Sequence, residues 1–292
     1  MSKSENHLIS KIKFLEKQIK EKEELLTKYQ ETINFSNDRI EKIAKNVKEG
    51  LSLMAGIHKN LIPVDLPEIP YFEFSYKFLP TSSGVSGDFF DVVKIKDSLK
   101  FGIVLSSCNT YAMTALFVSS FLKSSQNLKN YKDSKDFLSY VADSLSESFP
   151  ELDKIDLFYG IVDRKNFTLD YCLVGDIFAA LKTEEGDYEV LKAGSKSLKD
   201  KSIKNKTLSL NPKDRFVFCS SGVSAVQNSQ GESFGNSRIL QYAKEAKDKG
   251  VLGIRQNILF ECDQFGQGVD TSKDKTILVM EVKERVLKLT TS

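Results

Sequence analysis

From Leu8 to Leu61, apolar side chains recur at alternating steps of four and three, through Ile12, Leu15, Ile19, Leu26, Tyr29, Ile33, Ile40, Ile43, Val47, Met54 and Ile57. Lys22, Ser36 and Gly50 are the breaks in this stripe. A seven-residue apolar repeat held over such a length predicts a left-handed coiled coil. The intervening positions are mostly Lys, Glu, Asn and Gln, so a lone helix would leave the stripe in water. Such a helix would run roughly 80 Å at 1.5 Å per residue, longer than a small domain is wide. A partner helix is therefore expected to cover it, making the protein a homodimer. Pro63, Pro67 and Pro70 then stop the helix and form a linker.

At Tyr71 the period changes to two. In "YFEFSYKF" Phe72, Phe74, Tyr76 and Phe78 face one way and Glu73, Ser75 and Lys77 the other, which predicts a half-buried strand. Further strands are expected at 88–95, 100–106, 156–162, 168–174, 177–182, 188–191, 215–219 and 275–283. Helices are expected at 111–127, 134–148, 236–247 and 251–262. Short strands in hairpin-like succession with helices between them predict an α+β fold, antiparallel sheets covered by helices. "TEEGDYE" (183–189) and "NSQGES" (228–233) read as turns. The expected organisation is a coiled-coil dimerisation helix at 1–62, a proline linker at 63–70, a globular domain at 71–284 and a tail at 285–292.

Composition narrows the function. The net charge of +2 offers no basic field for nucleic acid. No run of about 18 apolar residues is present, so no membrane span is expected. The charged start lacks an apolar export core, which points to the cytoplasm. Cys108, Cys172, Cys219 and Cys262 are scattered through apolar runs and read as buried thiols. The two histidines, His7 and His58, both fall in the N-terminal helical segment. The globular part then has no imidazole for a Ser-His-Asp or Cys-His mechanism. Ser220 and Ser221 have no base to activate them, so a structural role is expected.

"SGVSGDFFDVV" (83–93) sets a carboxylate, Asp88, directly after a glycine, with Asp91 three residues on. Together with the features that follow, the chain from about Ile57 to Glu284 resembles the SpoIIE/RsbU-like branch of the bacterial PPM serine/threonine phosphatases. This segment is similar to the family's G-G-D-F-Y-D, with Ser86 for the first glycine and Phe90 for the tyrosine. "FGIVLSSCNTYAMTALFVSSFL" sits where the family has a strand, D-V-x-G-H-G and an alanine-rich helix. "LDYCLVGDIFAALKTEEGDYEVLKAG" is similar to the hairpin carrying A-G-H. "LNPKDRFVFCSSGVSAVQNSQGESFG" is similar to the segment around T-D-G, and "DTSKDKTILVMEV" to the closing D-D-x-T strand.

The resemblance implies a sandwich of two antiparallel sheets flanked by helices. It also implies metal-assisted phosphate hydrolysis, in which aspartates gather two Mn²⁺ or Mg²⁺ ions around an attacking water. Asp88 matches one such ligand. Ser107, Ser221 and Lys273 stand where three others are expected, and "GIVLSSCNTYAMTAL" contains no acid to replace the bridging one. A serine keeps a weak neutral oxygen. A lysine opposes a cation and offers an ammonium that can pair with Asp88 instead. Asp91 and Asp274 remain as alternative ligands, and Asp176 in the altered A-G-H position as a replacement. The expectation is a pseudophosphatase with a vestigial metal position and no catalytic residue, in a partner-switching type of signalling circuit. It would bind a phosphoprotein or regulator and need no cofactor. Two alternatives stay open. One is an active phosphatase using Mn²⁺ or Mg²⁺ with an altered ligand set. The other is a coiled-coil interaction platform.

Overall fold

The computed structural model describes residues 3–81, 87–95, 99–109, 112–125, 131–146, 149, 151–184, 186–200, 202–269 and 273–284. Ser86, part of the helix expected at 111–127 and the tail at 285–292 lie outside them. The chain divides into two compact units, Met1–Ser52 and Leu53–Ser292. Helix α1 runs unbroken over Lys3–Leu61, 59 residues. Its apolar stripe is in water in the single chain: Leu8, Ile19, Leu26, Ile33 and Ile40 each expose more than half of their surface. That arrangement fits a coiled-coil strand.

The second unit is a sandwich of two five-stranded antiparallel sheets. The first sheet holds β1 (Phe72–Leu79), β10 (Lys275–Val282), β9 (Arg215–Cys219), β6 (Phe178–Lys182) and β7 (Tyr188–Val190), in that order. The second holds β2 (Asp88–Lys94), β3 (Lys100–Cys108), β4 (Ile155–Asp163), β5 (Thr168–Val174) and β8 (Lys206–Ser209). The inner faces meet through aromatic side chains, among them Phe72 against Phe101 at 4.9 Å and Phe158 against Phe218 at 4.5 Å between ring centroids. Alternation along each strand thus supplies one sandwich face per sheet.

The outer faces are covered as well. α2 (Ala112–Ser125) and α3 (Ser134–Ser146) lie on the second sheet. Phe137, Leu138, Val141 and Leu145 give α3 one apolar side, and the Phe137 ring stacks on Tyr159 at 3.8 Å. α5 (Gly235–Glu245) and α6 (Gly250–Phe265) cover the first sheet, α6 burying Val251, Ile254, Ile258 and Cys262 at helical spacing. This double cover explains why β3 and β4 read as continuous apolar runs: both of their faces are buried. Three short elements were not foreseen: β8, a 3-10 turn at Leu152–Lys154 and the single turn α4 (Ser221–Ser224).

Candidate functional site

The site forms where the strand ends of the two sheets meet. On the second sheet Asp88 pairs with Ser107, and Ser107 with Asp156, so three neighbouring strands place these side chains in one row on one face. The first sheet brings Ser220 and Ser221 just after β9, and Asp274 and Thr276 at the start of β10. Asp88, Ser107, Asp156, Ser220, Ser221, Asp274 and Thr276 are buried.

Hydroxyls dominate the contacts. The Ser107 and Ser221 Oγ atoms are 3.2 Å apart, a direct hydrogen bond between two positions at which the family resemblance expects carboxylates. Thr276 Oγ1 donates to Asp88 Oδ2 at 2.9 Å. The Thr276 N–H donates to Ser220 Oγ at 3.0 Å, and the Ser220 N–H returns to the Thr276 carbonyl at 3.0 Å. Asp88 Oδ1 is buried and has no hydrogen-bond partner among the described residues. Burial pushes the Asp88 carboxyl up to about 7. The Ser220 hydroxyl opposes that shift, the Asp274 charge adds to it, and the Ser107 and Thr276 hydroxyls oppose it further. Of the three hydroxyls, that of Thr276 bonds Asp88 with full hydrogen-bond geometry.

Asp274 acts as a clasp. Its Oδ1 accepts the Thr81 N–H at 2.8 Å and its Oδ2 the Asp88 N–H at 3.3 Å, tying the end of β1 to the start of β2. Asp91 is not brought to the row. Three residues from Asp88 on a strand, it points to the opposite face, where burial raises its carboxyl and the Val92 N–H, donating at 2.8 Å, and then Lys123 of α2 oppose that rise.

Asp156 is a site residue the sequence reading missed. Its Oδ1 accepts the Asp176 N–H at 3.0 Å and its Oδ2 the Asn109 side-chain amide at 3.3 Å. Gly175 makes this approach possible: its φ is +74°, and a Cβ there would lie 2.0 Å from Asp156 Oδ1. Asp176 therefore contributes its backbone to the site while its own side chain is exposed. Burial raises the Asp156 carboxyl, with the Lys273 ammonium among the groups that oppose this. Lys273 forms no ion pair with Asp88 among the described residues, and its charge bears on Asp156 instead.

His58 lies in the globular unit, although its place in the sequence put it in the N-terminal helical segment and left the globular part without an imidazole. In the structure the last turns of α1 belong to the second unit and His58 is buried in it. Its ring lies edge-on to Phe78 at 6.0 Å. Burial lowers its basicity, and the Asp274 charge and the Asp88 backbone partly restore it. The four cysteines are buried and free, as expected. No helix among the described residues is long and apolar enough to cross a membrane.

A helix-covered double sheet with acids and hydroxyls clustered at the strand ends is the fold of the PPM, or PP2C, phosphatases. Residues 111–283 match the family described as Stage II sporulation protein E (SpoIIE), and the chain belongs to that family. Its fold is similar to the SiaA-PP2C domain of Pseudomonas aeruginosa, with a TM-score of 0.66 and 16% identity over 82% of this chain and 98% of that one. It is also similar to the RsbU and RsbW domains of Rv1364c from Mycobacterium tuberculosis, with a TM-score of 0.63 and 16% identity over 76% of this chain and 63% of that one. For the PP2C phosphatase domain and regulatory-domain fragment of SpoIIE from Bacillus subtilis the TM-score is 0.59 at 14% identity, over 72% and 63%. No curated protein matches the sequence.

The class implies Mn²⁺ or Mg²⁺, and the residues present do not suit a pair of such ions. Among the described residues no group of three or more His, Cys, Asp or Glu side chains is arranged to hold a metal. Hard divalent cations need several anionic oxygens. Here Ser107 and Ser221 bond to each other and Lys273 adds positive charge.

The raised Asp88 carboxyl has a consequence for stability. Its folded-state value lies above that of the unfolded chain. Between about pH 4 and pH 7 the native state therefore holds a proton that the unfolded chain has released. Stability is lost as pH rises through this window. In EDTA, Asp88→Asn should stabilise the protein at pH 8 by roughly 2–4 kcal/mol, a gain that fades towards pH 5. Urea unfolding at the two pH values checks this, and an equal effect at both would contradict it.

Proposed function

We propose that this SpoIIE-family chain works as a pseudophosphatase of bacterial signalling, holding a phosphoprotein or a regulator of the partner-switching type rather than hydrolysing it. The observation that carries this reading is the Ser107–Ser221 contact of 3.2 Å. Ser107 in the row beside Asp88 and Ser221 reaching it from the first sheet are neutral hydroxyls, and neither supplies the charge that gathers a second cation. The similar RsbU and RsbW domains support a protein partner. The purified protein should bind Mn²⁺ weakly in calorimetric titration and hydrolyse para-nitrophenyl phosphate no faster than buffer. Mn²⁺-dependent hydrolysis abolished by Asp88→Asn would overturn the reading in favour of an active enzyme with an altered ligand set.

The same proposal makes the chain a homodimer through residues 8–61. The exposed stripe of α1 supports this, since a helix with that much apolar surface in water gains by burying it against a copy. Replacing Ile12, Ile19 and Ile33 with Lys should give monomers in sedimentation at micromolar concentration. An unmodified chain that is already monomeric there would remove the dimer from the proposal.

A further inference from the structure

The outer edge of the first sheet is open and chemically marked. β1 ends the strand order on that side. The Lys283 N–H donates to the Tyr71 carbonyl at 2.8 Å, which sets the phase of the β1–β10 ladder. Glu73, Ser75 and Lys77 then turn their backbone groups towards β10, and Phe72, Phe74, Tyr76 and Phe78 turn theirs outward. The Phe72 N–H is taken by the Ile69 carbonyl, and the Tyr76 carbonyl accepts Arg255 Nη1 at 2.5 Å. No partner among the described residues meets the N–H groups of Phe74, Tyr76 and Phe78, or the carbonyls of Phe74 and Phe78.

A cleft of about 450 Å³ runs along this edge, lined by residues 74–78 with Ile62, Pro63, Phe90 and Arg255. No acid lines it. Arg255 Nε is buried and has no hydrogen-bond partner, and no carboxylate lies within ion-pair reach of the guanidinium among the described residues. Lys77 adds a second positive charge to the lining.

We propose that the β1 edge docks an extended acidic segment of a partner protein, which adds as a further strand and sets a carboxylate against Arg255. Unpaired strand groups are a ready template for another strand, and the cleft supplies places for its alternate side chains. A guanidinium held at the edge without a counter-charge selects an acid. A second copy of this edge is the poorer occupant, because it would bring two Arg255 and two Lys77 side chains together. The docking surface is separate from the Asp88 row, so it stands or falls independently of the pseudophosphatase reading.

The test uses the full chain and a fluorescein-labelled, C-amidated peptide, Thr-Val-Glu-Val-Thr. The first control carries Lys for Glu; the second carries N-methyl groups along one edge. The Glu peptide should bind, the Lys peptide at least about tenfold more weakly, and the N-methylated peptide not at all. Hydrogen exchange at the Phe74, Tyr76 and Phe78 amides should slow with the Glu peptide. Arg255→Met should weaken binding at least about fivefold. The exchange measurement uses the unmodified protein, so the test survives a variant that folds poorly. No binding up to about 1 mM, equal binding of the Glu and Lys peptides, or unchanged exchange at those three amides would overturn the proposal.

Discussion

A chain carrying Ser107→Asp, Ser221→Asp and Lys273→Asp together should bind Mn²⁺ at least about tenfold more tightly than the unmodified protein. The two serine changes add one negative charge each and the lysine change removes a positive charge and adds a negative one, a shift of four units. Geometry sharpens the expectation. The Ser107 and Ser221 oxygens are 3.2 Å apart, so carboxylates at both positions would crowd each other and Asp88. Two like charges at 4 Å repel by roughly 4 kcal/mol at an effective dielectric of 20, and a cation between them reverses the sign. The variant should therefore melt lower than the parent in EDTA and recover on adding Mn²⁺, while single changes do little. Calorimetric titration and melting with and without the metal give the answer. A variant whose affinity and melting are both indifferent to Mn²⁺ would show that the scaffold no longer holds the ligand geometry.

Gly222→Ala should be among the most damaging single changes in the chain. A Cβ at Gly222 would lie 1.8 Å from the Asp274 carbonyl oxygen and 3.2 Å from Lys273 Cβ. The first contact is with backbone, so no side-chain rotation relieves it. α4 and the start of β10 would have to separate, and with them the Ser220–Thr276 hydrogen bonds that close the site. The expected loss is on the order of 3 kcal/mol. Gly56→Ala provides the contrast, because a Cβ there meets nothing within 4 Å. It sits in the helix interior, where alanine is favoured by roughly 1 kcal/mol. Urea unfolding of the two variants should move the midpoints in opposite directions; a Gly222→Ala midpoint equal to that of the parent would contradict the close approach.

The strands and helices that could be read in advance are those with a clean period. "YFEFSYKF" alternates because one face of β1 meets Phe101 and Phe90 while Glu73 and Lys77 on the other face are exposed. α3 declares itself through Phe137, Leu138, Val141 and Leu145. β8 had no such signal: residues 206–209 pair along one side only and are largely exposed, so nothing enforces alternation. α4 is a single turn, too short for a period of 3.6 to show.

Within the site, Asp88 could be placed because a glycine precedes it and a motif surrounds it. Asp156 could not, since it opens an apolar run whose next residues are buried on both faces, and its acid looks incidental. The one local sign was Gly175, whose positive φ exists to let that carboxylate reach the Asp176 N–H. His58 was misplaced for a different reason. The heptad count continues smoothly past it, and periodicity along a helix does not report where the helix stops facing water and enters a core.

The last turns of α1 therefore define what can be exchanged during evolution. The Leu61 carbonyl is capped by Lys123 Nζ at 2.6 Å, and His58 is packed beside Phe78. A recombination event that swaps the N-terminal helix for an unrelated input module would leave the contacts inside the second unit intact if it joins before Leu53. A junction at the prolines, where the sequence most invites one, would discard the His58 imidazole and the Leu61 carbonyl, and leave Lys123 of the phosphatase-like body without the helix end it caps. Lineages that shuffled this domain should carry its final helical turns along with it, so the conserved unit should begin about ten residues ahead of the linker.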